Sequence, residues 1–421
     1  MATIRKDDRS AWAERFYWTD DRLKTFSAAF QHELERALNG VEAAFSVQPS
    51  YLPLPAGTEQ GLYLALTFAG TKVSVGRVRL FGKGYYILEK TVQRPVRTAC
   101  YDDADDGTTA AAFFDFLAAA VAECVGTTPP CALGLTVPFA VAPRSPREAQ
   151  LRRLLTGKAA GELLQQALER RGLARCRVKA VVNDAAASLL AAAYRYGDVA
   201  VGVVCDAGFT VCWYEPRRQM LVHAAAASFS ELTGTVWDRR VDEASPQPGR
   251  QVLGKMIGGA YLAEIYRHVL CDYFDCADIP FFTTAEMNGL LQTSCLRETR
   301  HCMGRLWNRL VPPADVEHLC KIGASIFVRS AQLAGASVSA VLRHVYGNAV
   351  IPRQKIAVAG GVLTEVRGSL AVMADGMQAC LAAEPSRTQV LPAYPAISRN
   401  GELVGAAVAA AMVGGEDQHC G

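Results

Sequence analysis

The run from Val178 to Glu215 constrains the fold more than any other part of the chain. VKAVVND (178–184) and VAVGVVCD (199–206) are short segments rich in β-branched residues, and AAASLLAAAYRY (185–196) between them has the alanine content of a helix. A strand, a helix and a strand in that order are the building unit of an α/β protein. The turn AGFT (207–210) and the strand VCWYE (211–215) then add a hairpin. An earlier hairpin, LYLALTF (62–68) and VSVGRVRL (73–80), turns through AGT (69–71), so that FAGT at 68–71 echoes AGFT at 207–210. Two strand–turn–strand elements of one kind predict a duplicated α/β fold.

The other segments fill in around these. Phe26, Phe30, Leu34 and Leu38 repeat at helical spacing and predict a helix over 10–39, stopped by Asn39-Gly40. PSYLPLPAGTEQG (49–61), with its prolines and glycines, reads as a connector and a domain boundary. Residues 110–125 predict a helix, CALGLTVPF (131–139) a strand, 147–171 a long amphipathic helix, and 250–345 mostly helix. KIAVAGG (355–361) is a strand running into a double-glycine turn, where a phosphate can approach the backbone closely, and GAAVAAAMVGG (405–415) is a small-residue helix.

Composition narrows the partner. The 421 residues are 50% hydrophobic and 20% charged with 35 Gly and 19 Pro, which excludes a disordered or collagen-like chain and allows two lobes with sizeable cores. Lys plus Arg (44) nearly balances Asp plus Glu (41), so neither nucleic acid nor a polybasic membrane surface is expected as the main partner. A small molecule is. The 13 cysteines are scattered without C-x-x-C spacing, as expected of reduced, packed thiols, and no structural metal is predicted. The charged start MATIRKDDRS is unlike a signal peptide, and the most apolar stretch, 109–125, carries Asp115 and Glu123, so a cytoplasmic location is expected.

Within this frame VDEASPQPGRQVLGKMIGGAYLAEIYRHVL (241–270) resembles the hexokinase family, the eukaryotic-type sugar kinases. It is similar to that family's Val-Asp-Glu-x-Ser-x-x-Pro-Gly-x-Gln segment and the Lys-Met-Ile-x-Gly-x-Tyr-Leu-x-Glu helix after it. PSYLPLPAGTEQG, LGLT (133–136) and VNDAAASLLAAAYR (182–195) add support, and the similarity extends over residues 25–415. The resemblance implies a two-lobed actin-like ATPase fold, a duplicated ribonuclease-H-like α/β architecture. The smaller lobe would be 61–185 plus 400–421, and the larger 1–60 plus 186–399. It also implies transfer of the γ-phosphoryl group of Mg·ATP, a co-substrate rather than a tightly bound metal, to the 6-hydroxyl of a hexose. The expected partners are thus a hexose and a nucleotide, with no protein partner indicated.

That reaction needs a base, elements that hold phosphate, and polar groups that orient the sugar. From sequence alone Asp184 reads first as the N-cap of the helix behind it, whereas the resemblance assigns it the base and gives Asn183 a sugar contact. The first phosphate turn departs from the family pattern: Thr67 stands where an Asp holds magnesium through water, Ser74 stands for an Arg, and Gly70, Thr71 and Lys72 remain as phosphate contacts, although Lys72 reads as well as a solvated surface lysine. In the second, Asp206 and Phe209 enter a turn of small residues, leaving Gly208 and Thr210; Asp206 could instead take over the metal. Gly360 and Gly361 remain in the adenosine element, where Ala359 replaces an Asp, and equally suit close helix-to-strand packing. On the sugar side His223, Ala225 and Gly254 replace an Asn and two Glu, His223 reading also as a packed or surface histidine; Pro138 replaces a Ser, and Lys158 is displaced by one residue from its place after Thr156. These departures together predict weak or absent catalysis. The alternative is a non-catalytic protein that binds a sugar or sugar phosphate for regulation.

Overall fold

The computed structural model describes residues 11–69, 72–96, 110–125, 132–137, 157–347, 349–381 and 392–414. Two sheets organise them. The first has five strands: β2 (Gln60–Ala69), β3 (Lys72–Gly82) and β4 (Tyr85–Pro95) form an antiparallel meander, and β5 (Ala132–Val137) and β6 (Arg177–Asn183) continue it in parallel beyond β2. In the six-stranded sheet, β7 (Val199–Cys205), β8 (Phe209–Glu215) and β9 (Met220–Ala224) form the meander, β10 (Gln354–Ala359) and β11 (Ala393–Ile397) run parallel beyond β7, and β1 (Val47–Pro49) closes the far edge. Three antiparallel strands followed by two parallel ones, in the same spatial order, occur twice. The echo between the two hairpin turns marks the first turn of each copy.

Helices cover both faces of each sheet. α1 (Asp20–Leu38) places Phe26, Phe30 and Leu34 in the core of the six-stranded lobe, with Val201, Trp213 and Phe229. That helix is shorter than the 10–39 run predicted. The Thr19 side chain accepts the Arg22 N–H and starts the helix at Asp20, and the preceding turn, Ala13–Phe16, is 3₁₀. α2 (Ala110–Val125) and α3 (Gly157–Arg170) pack on the outer face of the five-stranded sheet, where Phe113, Leu117 and Leu164 meet Leu64, Leu66 and Leu133. The β4 strand was not anticipated: its alternating exposed residues lie at the sheet edge, where the apolar run that betrays a buried strand is missing.

α4 (Asp184–Tyr196) lies against the inner face of the six-stranded sheet. The helices that follow are α5 (Val236–Ala244), α6 (Val252–Ile257), α7 (Leu262–Phe274), α8 (Thr284–Gln292), α9 (Leu296–Trp307), α10 (Val316–Tyr346), α11 (Gly361–Thr364), α12 (Ser369–Leu381) and α13 (Gly401–Gly414). α10 is long and apolar enough to cross a membrane, a feature the sequence reading missed; it is the central helix of the larger lobe, and most of its apolar window is buried there. α13 lies between the five-stranded sheet and α4. A Cβ on Gly134 would lie 1.9 Å from the Ala406 carbonyl oxygen, and one on Gly405 would lie 1.8 Å from that of Ala187. Backbone meets backbone along this seam, so the small residues of α13 are a packing requirement.

Candidate active site between the two sheets

β6 ends at Asn183, and α4 begins at the next residue because the Asn183 side chain caps it, Oδ1 accepting the N–H groups of Ala185 (2.9 Å) and Ala186 (3.4 Å). The cap is therefore Asn183 and not Asp184. Capping occupies the oxygen of the Asn183 amide. Its Nδ2 is buried without a hydrogen bond of normal length, so toward a ligand this side chain can only donate.

Asp184 occupies the first helical position, with one carboxylate oxygen 2.7 Å from the Ala185 N–H. Its carboxyl is pushed up to about 7, first by desolvation and then by the carboxylates of Glu402 and Asp206, against the easing effect of the Ala185 N–H and the Asn183 amide. An acid so poised is half ionised near neutral pH, the state that suits a general base.

Glu402 was not singled out from the sequence. It stands in the first turn of α13, the one charged residue of GELVGAAVAAAMVG, and that isolation was the available signal. Thr67 of β2 donates its hydroxyl to Glu402 Oε2, while Thr136 of β5, opposite Thr67 in register, donates to the Glu402 carbonyl at 3.1 Å. Burial raises the Glu402 carboxyl above the usual range, the Thr67 hydroxyl opposes this, and Asp206 adds to it. The position of Thr67 is thus not stripped of negative charge, because a carboxylate reaches it from the far end of the chain.

Asp206 belongs to the second turn, residues 206–208, which the Asp206 N–H closes onto the Gly208 carbonyl at 3.1 Å. Three backbones converge here. Gly259 donates to the Asp206 carbonyl (2.6 Å), a Cβ on Gly258 would lie 2.6 Å from the Ala207 oxygen, and Gly360, at φ 91°, would place one 2.2 Å from the Cys205 oxygen. Gly360 is therefore demanded by this close approach. The Gly361 N–H points at the Asp206 carboxylate across 3.4 Å, which leaves a weak internal contact where a phosphate amide was expected.

Phe209 corrects one expectation: it is the first residue of β8, 2% exposed in the core of the larger lobe, and adds no bulk to the turn. Thr210 and His223 lie on the α4-facing side of that sheet, His223 opposite Cys212 in register. Burial lowers the His223 imidazole to about 4, so it is neutral. Gly254 cannot simply be a vacated glutamate site, since a Cβ there would meet the Ala227 Cβ at 2.7 Å. Lys72 begins β3 with its side chain exposed to solvent. Pro138, Thr156, Gly70 and Thr71 lie outside the described residues, as does the side chain of Lys158 in α3.

Two family models, both described as Hexokinase, match residues 10–194 and 201–412, the second alone covering half of the chain. The chain belongs to the hexokinase family. Hexokinase-5 of Oryza sativa subsp. japonica is 27% identical over 449 residues, covering 92% of this chain and 86% of its own. Hexokinase-2 of Candida albicans is 26% identical, a match spanning 62% of this chain and 60% of the relative. A structure titled hexokinase superposes with a TM-score of 0.79 at 23% identity over 97% of this chain and 99% of its own. A second, the Schistosoma mansoni hexokinase complexed with glucose, gives 0.76 at 21% over 96% and 98%. These structures establish the two-lobed hexokinase fold.

ATP with magnesium is the co-substrate of this hexokinase family, and the side chains present fit the ion. Mg²⁺ takes hard oxygen ligands, commonly one or two carboxylates with waters and substrate phosphates. Asp206 and Glu402 offer such oxygens from the two lobes, while no group of three or more His, Cys, Asp or Glu among the described residues forms a complete protein cage.

Proposed function

We propose that this hexokinase-family chain transfers the γ-phosphoryl group of Mg·ATP to the 6-hydroxyl of a hexose, slowly and with weak hold on both substrates. The observation that carries this reading is Asp184: a carboxyl at the first position of α4, just past β6, raised to about 7, with carboxylates from both lobes acting on it. In this reading the ionised Asp184 accepts the hydroxyl proton, Asn183 donates its amide to a neighbouring sugar hydroxyl, and neutral His223 offers a polar contact where the family has Asn. Magnesium, when bound with the nucleotide, neutralises charge on the transferred group, and Asp206 and Glu402 are the side chains that would face it.

Weak binding follows from the same residues. Ala225 and Gly254 provide no carboxylate acceptor for sugar hydroxyls, each such contact contributing about 1–3 kcal/mol, and the carboxylate of Asp206 meets the amide of Gly361. This last contact favours a second reading, a non-catalytic protein that binds a sugar or sugar phosphate. A thermal-shift screen with hexoses, hexose phosphates and Mg·ATP, followed by a sensitive assay of ADP, separates the two. The kinase reading expects a hexose-dependent shift and hexose-dependent ADP. A shift with sugar phosphate and no ADP would favour the second reading, and no shift with any of them would contradict both.

A further inference from the structure

The other concentration of charge lies on the larger lobe. α9 buries Thr299, Met303 and Trp307 and turns Arg297, Arg300, His301 and Arg305 outward at helical spacing. This face forms a shallow depression, widely open to solvent. Gly304 leaves the middle of the stripe without a side chain, Asn308 turns the chain in a left-handed conformation, and the return segment folds back over the helix. Two contacts hold it there: Arg309 donates its N–H to the Gly304 carbonyl at 3.1 Å, and Arg300 Nε donates to the Val311 carbonyl at 2.7 Å. The result is a cleft of about 800 Å³ lined by Arg297, Arg300, His301, Arg305 and Arg309, with no carboxylate in its wall.

Fold stability does not account for these cations. A cation in the last turn, such as Arg305, complements the helix dipole, but Arg297 stands in the first turn, at the positive end, where the dipole disfavours it. Arg297 and Arg300, three positions apart on one face, also repel. Among the described residues no ion pair relieves them; the contacts of this group are the Arg300 bond to a carbonyl and Arg309 against the Phe274 ring at 5.9 Å.

We propose that this cleft binds a small ligand carrying consecutive phosphate groups. Guanidinium forks match phosphate oxygens in pairs, and a closely set row of arginines suits several phosphates in a chain. The cleft volume is that of a small-molecule site. From Arg297 to Arg305 the helix rises only about 12 Å, and the chain as a whole is nearly charge-balanced, so the surface is too local for a duplex or a membrane.

Titration calorimetry with inorganic tripolyphosphate, in low salt and without magnesium, tests this on wild type and the R297S/R305S variant. Arg300 is left in place because it holds the return segment. The expected result is one equivalent bound by wild type and an affinity about tenfold or more lower in the variant. No binding by wild type, or equal affinities, would overturn the proposal; equal affinities would locate the anion elsewhere, including between the lobes. If the variant fails to fold, R297K/R305K replaces it, keeping the charges but not the forks, and is expected to bind more weakly than wild type. Metal-free ATP and AMP are titrated in parallel. ATP matching tripolyphosphate makes the phosphate chain sufficient, ATP binding more tightly with the same arginine dependence makes the ligand a nucleoside polyphosphate, and AMP binding as tightly as ATP would contradict the assignment. Tighter, arginine-dependent binding of an RNA oligomer would contradict the small-ligand claim.

Discussion

The two sheets repeat one topology, yet their first hairpin turns are equipped in opposite ways. In the larger lobe the carboxylate stands in the turn itself, as Asp206. In the smaller lobe the corresponding strand offers Thr67, and the carboxylate arrives on Glu402, 335 residues away in sequence, through a hydrogen bond to that threonine. Charge near the candidate reaction centre is thus a property of a place in space, and a comparison of motifs position by position mistakes its transfer for its loss. The difference extends to the amides. The large-lobe carboxylate faces the Gly361 N–H, whereas the small-lobe carboxylate takes the Thr67 hydroxyl, with Thr136 donating to the backbone carbonyl of the same residue.

The largest expected effect is at Asp184, on which both carboxylates act. Asp184→Asn should lower hexose-dependent ADP formation about a thousandfold with little change in KM; a change confined to KM would make Asp184 a binding residue instead. Next comes the seam that sets the two lobes against each other. Gly405→Val drives a side chain into the Ala187 carbonyl and should cost about 3 kcal/mol in denaturant unfolding, whereas Gly414→Val, with nothing within 4 Å of its Cβ, should cost far less.

The contrast between the turns is sharpest in nucleotide binding. Glu402→Gln should weaken Mg·ATP about tenfold, while Asp206→Asn, by relieving the Gly361 amide, should lose less or even gain. Equal losses in a binding titration would erase the distinction drawn between the lobes. The smallest effect concerns stability against pH. The folded Asp184 carboxyl titrates near 7 against 3.8 for an unperturbed one, so the folded state binds the extra proton between these values. Its contribution is fully present below the lower value and is lost as pH rises through the upper. Wild type should therefore lose about 1 kcal/mol or more relative to Asp184→Asn between pH 4 and 8 in the ligand-free protein, a figure discounted for the exposed part of the side chain. Parallel stability curves for the two proteins would show that the carboxyl is not perturbed.

Much of this was legible in the sequence. The strand–helix–strand run ending in Asn183-Asp184, the duplicated hairpins and the connector before residue 62 all carry local signals, namely alternation, alanine content and proline. What was not legible depended on partners distant in the chain. Glu402 acquires its meaning from Thr67, and Phe209 could be recognised as core only once Cys205 was known to pair with it across the hairpin. The β11 strand, AYPAI, has a proline that argues against a central strand, and it is tolerated because β11 lies at the sheet edge. The start of α1 turned on one hydrogen bond, from the Arg22 N–H to the Thr19 side chain, below the resolution of a hydrophobic period.

The most direct test of the account is the release of ADP by purified protein at pH 8, with Mg·ATP and each of several hexoses, in wild type and Asp184→Asn side by side. The account predicts slow release by wild type that requires a hexose and is lost in the variant. Equal rates in the two proteins, or wild-type release that ignores the hexose, would contradict it.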